Sequence, residues 1–218
     1  MSSKSSILPN TRHTNETQRM TGGRAPHRAP PLIPGALNIA DPALPSNVKW
    51  VSRQDKDILS QKSHPSQPAF FTFKGYVQNP LHVKPLGNMA APSTHEIKLS
   101  EAQYVISVRA TETSKYLMAA SNIYRFAVGI ISGDTATLDD FVSTEDTIRF
   151  TMPVFNSSFV AQPMPIVDIR GRIIPVDELD RRLPGSMVEV TFVLVHIYDD
   201  ETAEDTFRGE PHCITYWG

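Results

Sequence analysis

The run Gly185–Tyr198 constrains the fold more than any other part of the chain, because its pattern predicts one long β-strand. β-Branched and aromatic residues fill both of its faces: Val188, Val190, Phe192, Leu194, His196 and Tyr198 alternate with Met187, Glu189, Thr191, Val193, Val195 and Ile197. A Pro-Gly turn precedes the run and an acidic stretch follows it. Because its middle is apolar on both faces, we expect this strand to be central in its sheet and covered on both sides.

Shorter strand patterns recur after residue 68. They cover residues 69–77, 96–99, 103–109, 147–152, 163–176 and 206–217. A parallel α/β sheet needs a helix of about a dozen residues between successive strands, and the sequence predicts no such series of helices. The predicted fold class is therefore all-β or β-rich α+β, as a small antiparallel β-barrel or a sandwich.

The predicted helices are short. Ser114–Ser121 and Asp177–Leu183 are the candidates, and Val51–Lys62 is a marginal third. Between two β-rich runs, Arg170-Gly171-Arg172 predicts a hairpin tip that carries two positive charges.

The first 65 residues differ in composition from the rest of the chain. Twelve of the 18 prolines lie at or before Pro92, and no aromatic residue precedes Trp50. Ordering a residue costs about 1–2 kcal/mol in backbone entropy, and a segment poor in large apolar side chains does not recover that cost. We therefore expect residues 1–65 to form a disordered, Pro-rich tail and residues 66–218 to form a single β-rich domain.

Charge divides at the same boundary. Residues 1–65 hold nine Lys or Arg against four Asp or Glu, whereas residues 66–218 hold twelve against nineteen. Attraction for phosphates would therefore come mainly from the tail, through Lys4, Arg12, Arg19, Arg24 and Arg28. The prolines of residues 24–34 also favour an extended backbone of the kind that docks in an aromatic-lined groove of a protein partner.

Motifs that carry chemistry are few. Cys213 is the only cysteine, which excludes an intramolecular disulfide framework, and no run is long and apolar enough to span a membrane. With no secretory signal either, we expect an intracellular protein without a membrane partner. The seven histidines lack ligand spacing, and no Gly-x-Ser-x-Gly, phosphate loop or dinucleotide fingerprint occurs. We expect no metal, no cofactor and no enzymatic activity.

The end of the chain has a further pattern. A short helix and Leu183-Pro184-Gly185 precede a strand through Val188–Phe192 with Tyr198 near its end, and after a polar loop a final strand carries Phe207 and Tyr216. This pattern of about 40 residues resembles the closing strands of phage-type single-stranded-DNA-binding proteins. The resemblance implies a barrel of the oligonucleotide-binding (OB) type. Many of those proteins end in an acidic tail, whereas this chain ends Tyr-Trp-Gly.

The resemblance also implies base stacking on strand aromatics beside cations that contact phosphates. The candidate stacking residues are Tyr104, Tyr124, Phe126, Tyr198 and Tyr216, and the candidate phosphate contacts are Arg109, Arg125, Arg170 and Arg172. The structural alternative for each aromatic is a place in the core.

The predicted function is that of a non-catalytic accessory protein that binds single-stranded DNA or RNA. The alternative is a protein-binding or self-assembling β domain, coat-like or scaffold-like, that uses the tail for partners and forms homo-oligomers. An enzyme of a type with no local motif is the third alternative.

Overall fold

The computed structural model describes residues 33, 35–53, 56–83, 102–131, 135–138, 141–143, 145–155 and 162–218. The strands within them are β1 (Leu37–Asn38), β2 (Val48–Arg53), β3 (Lys56–Gln61), β4 (His64–Pro68), β5 (Phe71–His82), β6 (Gln103–Ala110), β7 (Thr135–Thr137), β8 (Thr147–Pro153), β9 (Ile166–Asp168), β10 (Met187–Asp199) and β11 (Glu204–Tyr216). The α-helices are α1 (Thr113–Val128) and α2 (Val176–Arg182).

Five strands of the single sheet close into a ring. β5 pairs with β6, β6 with β8, β8 with β11, β11 with β10, and β10 with β5. The ring is uneven, because β8 and β11 share one residue pair, Phe150 with Gly209. The prediction of a β-rich fold is confirmed. The sheet is mixed rather than wholly antiparallel, since β11 runs parallel to β7, β8 and β9.

β10 is the strand that the sequence indicates most clearly, and the structure confirms it. It pairs with β11 along its whole length, with β5 through its first half and with β3 at Val195 and His196. Neighbouring residues such as Leu194 and Val195 are both fully buried although they point to opposite faces. The strand is therefore central and covered on both sides, as predicted.

Phenylalanines fill the interior of the ring. Phe150 lies 4.9 Å from Phe192 and 6.2 Å from Phe141 between ring centroids. A Cβ atom at Gly209 would lie 2.8 Å from the ring of Phe141 and 2.9 Å from that of Phe150. The contact between β8 and β11 therefore requires glycine at this position, because the two aromatic rings occupy the space of a side chain.

The N-terminal strands form an extension that covers part of the ring. β2 and β3 make an antiparallel hairpin, so the prediction of a helix over Val51–Lys62 is wrong. The Nε1 of Trp50 donates a hydrogen bond to the carbonyl oxygen of Phe126 on α1 at 3.0 Å. This contact between distant segments stabilises the hairpin. Described strands begin at Leu37, within the range predicted as the tail, and residues 1–32 lie outside the described residues.

A buried histidine joins the hairpin to the ring. The side chain of His196 is 2 % exposed, and its Nδ1 lies 2.9 Å from Oδ2 of Asp57 on β3. Its Nε2 lies 2.6 Å from Oδ1 of Asp205 on β11, which is fully buried. The imidazole ring also stacks on Phe207 at 4.8 Å. This histidine therefore bridges three strands by hydrogen bonds to two carboxylates.

The helices differ in how well they were predicted. α1 is a single helix that continues through the apolar residues after Ser121, whereas only Ser114–Ser121 was predicted. Its Asn122 donates to the carbonyl oxygens of Ile39 and Asp41 at 2.7 and 2.9 Å, so α1 packs against the N-terminal segment. α2 confirms the predicted second helix. Among the described residues, no helix is long and apolar enough to cross a membrane.

Candidate nucleic-acid interface

One row of side chains on the outer surface of the ring crosses three strands and ends at the residue after a fourth. Tyr76 of β5 lies opposite Arg109 of β6 on one side and opposite Met187 of β10 on the other. Directly opposite residues of paired strands share a face. Trp217 follows β11, and its N–H donates to the carbonyl oxygen of Met187 at 3.0 Å. The row therefore runs Arg109, Tyr76, Met187, Trp217.

Aromatic surface is exposed in this row. Tyr76 is 36 % exposed and Trp217 is 49 % exposed. The Nζ of Lys74 lies 3.9 Å from the centroid of the Trp217 ring, which is a cation–π contact. An exposed tyrosine, an exposed tryptophan and a lysine are thus brought to one surface from β5 and the end of the chain.

A second row lies beside the first. Ser107 of β6 is opposite Gln78 of β5 and Arg149 of β8. These residues stand two positions along each strand from the first row and point the same way. We call the combined surface the strand-binding face: Lys74, Tyr76, Gln78, Ser107, Arg109, Arg149, Met187 and Trp217.

The strand-binding face is locally cationic. Lys74, Arg109 and Arg149 supply three positive charges, and Glu189, opposite Lys74 on β10, is the carboxylate that the strand pairing places beside them. The side chain of Arg109 is exposed and makes no ion pair with another described residue. Among the described residues, strand pairing therefore brings three cations and one carboxylate to this surface.

Some of the predicted site residues lie in the interior. Tyr104 is 3 % exposed and Phe126 is 6 % exposed, and both belong to the hydrophobic core. Burial raises the pKa of the Tyr104 hydroxyl above its usual range. Tyr216, opposite Val188, is partly buried and packs against the core.

The other predicted residues lie on separate parts of the surface. Tyr124 and Arg125 line a shallow depression on α1. Tyr198 is 40 % exposed at the far end of β10 from Trp217. Of the predicted residues, Arg109 alone belongs to the strand-binding face.

The predicted hairpin tip holds Arg170 and Arg172. Gly171 between them has a φ of +74°, which suits glycine in a tight turn. Asp168 accepts hydrogen bonds from the backbone N–H groups of both arginines and from Nε of Arg172 at 2.7 Å. These bonds lower the pKa of Asp168, and the bond from the Arg172 backbone N–H has the largest effect. The charge of Arg172 is therefore already paired.

Sequence reasoning missed every cationic and aromatic residue of the face except Arg109, namely Lys74, Tyr76, Arg149 and Trp217. A signal was present for two of them on β5. Lys74 and Tyr76 alternate with the apolar Phe73 and Val77, so the period of the strand places them on the opposite, outward face. Arg149 alternates in the same way with Ile148 and Phe150.

Two further kinds of site are not supported. Among the described residues, no group of three or more His, Cys, Asp or Glu side chains is placed to hold a metal ion. Cys213 is buried, and burial raises the pKa of its thiol. A raised pKa disfavours the reactive thiolate.

Comparisons with known proteins give structural likeness alone. No family model matches the sequence, and no curated protein matches it. Among solved structures, a C-terminally truncated single-stranded DNA-binding protein from bacteriophage Enc34 is similar, with a TM-score of 0.45 and 9 % identity over 80 % of this chain and 96 % of that one.

Two more solved structures are similar. The Enc34 protein in complex with single-stranded DNA has a TM-score of 0.43 and 9 % identity over 78 % of this chain and 94 % of that one. The single-stranded DNA-binding protein encoded by bacteriophage T7 has a TM-score of 0.39 and 13 % identity over 68 % and 91 %. These are phage single-stranded-DNA-binding proteins, the class that the end of the sequence resembles.

Proposed function

We propose that this protein is a non-catalytic, single-stranded nucleic-acid-binding accessory protein that holds the strand on the strand-binding face. The observation that carries the proposal is the row Arg109, Tyr76, Met187, Trp217, which places exposed aromatic rings beside cations on a sheet surface. Bases stack on aromatic rings with about 1–3 kcal/mol each, and nearby cations neutralise phosphates.

The order of strands in the ring supports an OB-type barrel. In chain order the ring strands are β5, β6, β8, β10 and β11, and the last of them pairs in parallel with the third. OB barrels have five strands and bind oligonucleotides on the face of their second and third strands. Those strands are β6 and β8 here, which carry Arg109 and Arg149.

The tail has a secondary role in this proposal. Residues 1–32 hold Lys4, Arg12, Arg19, Arg24 and Arg28 against one acidic residue, Glu16. Their positive charge adds electrostatic capture of the strand, which is sensitive to salt. Stacking and orientation belong to the strand-binding face.

A matched pair of tyrosines tests the proposal. Tyr76 and Tyr198 are exposed to similar extents, and only Tyr76 belongs to the strand-binding face. We expect Tyr76→Ala to weaken binding of a labelled single-stranded oligonucleotide by about 1–3 kcal/mol, roughly fivefold or more, because it removes a stacking ring. Tyr198→Ala is the control and leaves affinity unchanged in the same fluorescence-anisotropy titration.

Salt dependence gives the second readout of this test. Arg109→Gln removes one phosphate contact and is expected to lower the slope of log affinity against log salt by about 0.7. Absence of oligonucleotide binding by the full chain at low salt would contradict the proposal. Equal losses in Tyr76→Ala and Tyr198→Ala would remove the strand-binding face from it.

A second function is favoured by the outward surface of α1. Leu117 is 59 % exposed, Tyr124 is 42 % exposed and Val128 is 76 % exposed, and with Ser121 they repeat at the four-three-four spacing of a helix–helix seam. In an antiparallel pair, Leu117 meets Val128 of the second copy, and Tyr124 meets the small Ser121. We therefore propose self-association through α1.

Light scattering after size-exclusion chromatography tests the self-association. We expect the full chain to elute as a dimer and Val128→Lys to elute as a monomer, because a buried lysine opposes an apolar seam. Lys115→Gln, a change on the same helix outside the seam, is the control. A monomer of the parent at high protein concentration would contradict the proposal.

A further inference from the structure

A cleft of about 490 Å³ opens over the outer side of β10 and β11. None of its lining residues belongs to the strand-binding face. Its apolar lining includes Val193, Phe70 and Phe155, and Lys56, Arg208, Glu210 and His212 supply polar groups. We call it the Arg208 cleft.

The Arg208 cleft has an excess of positive charge. Glu210 is shared by two cations: its Oε2 lies 3.0 Å from Nζ of Lys56, and its Oε1 lies 2.6 Å from Nη2 of Arg208. All three side chains are largely buried, with 27, 20 and 16 % exposed for Lys56, Arg208 and Glu210. One carboxylate between two cations leaves one positive charge, which matches the single negative charge of a phosphodiester.

Hydrogen-bond donors remain for such an anion. Arg208 uses Nε and Nη2 on Glu210, and among the described residues its Nη1 makes no hydrogen bond. The ammonium of Lys56 has three donors and meets the carboxylate of Glu210 alone in the described part of the chain. Charge–charge attraction is stronger in a partly buried cleft than in bulk water.

The apolar side of the cleft suits a planar ring. Phe70 and His212 form an edge contact at 5.1 Å between ring centroids, and Phe155 lines the cleft from the end of β8. Aromatic walls beside a cation are the combination that holds a base and its phosphate.

The cleft lies at the end of the strand-binding face. Along β8, Thr147 is opposite Arg109 and Pro153 is opposite Gln103, and Pro153 lines the cleft. Six residues of β-strand span about 20 Å. A strand bound at the row of Tyr76 and Trp217 and running along β6 and β8 therefore arrives at the cleft.

We infer that the Arg208 cleft binds one nucleotide of the bound strand, with its base against Phe70 and Phe155 and its phosphate at Arg208 and Lys56. This inference rests on the proposed function. It adds an end site to the strand-binding face and predicts a longer minimum oligonucleotide than the face alone requires.

The first arm of the test uses small probes. Deoxyadenosine 5′-monophosphate is titrated against the full chain while the NMR signals of the His212 ring are followed, and inorganic phosphate is titrated in parallel. We expect the nucleotide to shift these signals at a concentration at least about fivefold lower than phosphate does, because only the nucleotide also stacks. Equal effects of the two probes would overturn the assignment to a nucleotide.

The second arm uses oligonucleotides of increasing length. We expect the affinity of the parent to rise by about fivefold or more when the strand becomes long enough to reach the cleft, and Phe155→Ala to lose that rise. The triple variant Lys56→Gln, Arg208→Gln and Glu210→Gln removes both cations together with the carboxylate they share and gives the same loss. Lys62→Gln is the surface-charge control, and thermal melting confirms that each variant is folded.

The outcomes separate the two proposals. If the parent binds oligonucleotides and the cleft variants match it at every length, the cleft inference is overturned while the proposed function stands. If the parent binds no oligonucleotide, the proposed function is overturned and the end site with it.

Discussion

The two ends of the β10–β11 hairpin combine an aromatic residue with charged groups, and they differ in what surrounds them. At one end, His196 lies between Asp57 and Asp205 and against Trp50 and Phe207. We call these five residues the His196 end. At the other end, Lys74 lies over the ring of Trp217, beside the row of Tyr76, Arg109 and Met187. We call these five residues the Trp217 end.

Burial decides what each end does. At the His196 end both imidazole nitrogens bond to carboxylates and Nε1 of Trp50 bonds to the carbonyl oxygen of Phe126, so these interactions stabilise the fold and use the side-chain donors of both residues. At the Trp217 end Tyr76, Trp217 and Arg109 face solvent, where a ligand can replace water on the rings and neutralise the cation. We therefore expect substitutions at the His196 end to change the free energy of unfolding. Side-chain truncations at the Trp217 end are expected to change oligonucleotide affinity.

The largest expected effect is on stability at the His196 end. His196→Ala leaves the fully buried carboxylate of Asp205 without its imidazole partner. Removing one member of a buried polar pair costs about 3–5 kcal/mol in free energy of unfolding. We expect a loss of that size by urea denaturation. Tyr198→Ala, two residues further along the same strand, is the control. A loss below about 1 kcal/mol for His196→Ala would contradict a stabilising role of the His196 end.

A smaller loss of stability is expected where the backbone supports the Trp217 end. A Cβ atom at Gly75 would clash with the backbone oxygen of Arg109, so Gly75→Ala forces β5 and β6 apart. Overpacking of this kind costs about 1–3 kcal/mol. Because Tyr76 and Arg109 face each other across the same two strands, we also expect oligonucleotide affinity to fall.

Gly129→Ala is the matched control for Gly75→Ala. The nearest atom to a Cβ there is 3.4 Å away and the residue follows α1, so we expect unchanged affinity and a change in unfolding free energy within about 0.5 kcal/mol. Unchanged stability of Gly75→Ala would show that the two strands separate without cost.

Much of the sheet could be predicted from the sequence, because side chains alternate along a strand whatever its partners are. The same alternation separates Lys74 and Tyr76 from the core residues Phe73 and Val77. These two residues of the strand-binding face could therefore be predicted to point outward. Trp217 was not, because its place beside Lys74 depends on the pairing of β10 with both β5 and β11.

Composition was a poor guide near the N-terminus for a related reason. A segment with few apolar residues can still be ordered when it packs against a distant part of the chain. Trp50 makes such a contact with Phe126 on α1, 76 residues away in sequence. His196 and Asp57 make a second long-range contact of the same hairpin. Local patterns predict neither contact, and the sequence therefore predicts a tail with a marginal helix where the structure has the hairpin of β2 and β3.

The smallest expected effect concerns the turn beside the Trp217 end. Asp168 pairs in register with Tyr216 and binds Arg172, and hydrogen bonds lower its pKa. A carboxyl with a lowered pKa stabilises the fold above its ordinary pKa and loses that contribution as pH falls through the lowered value. Asp168→Asn is therefore expected to lower the melting temperature slightly near about pH 7, and its difference from the parent is expected to shrink as pH falls below the ordinary Asp pKa of about 4.

The same variant also tests whether a paired charge differs from an unpaired one in its effect on binding. Asp168→Asn releases Arg172 from its carboxylate, so we expect oligonucleotide affinity at low salt to rise by less than about threefold. Arg182 is paired with Glu178 in the same way on α2, away from the strand-binding face, and Glu178→Gln is the control with no expected change. A rise in both variants would show that affinity follows the net charge of the protein. The exposed row of the Trp217 end would then not be the binding site.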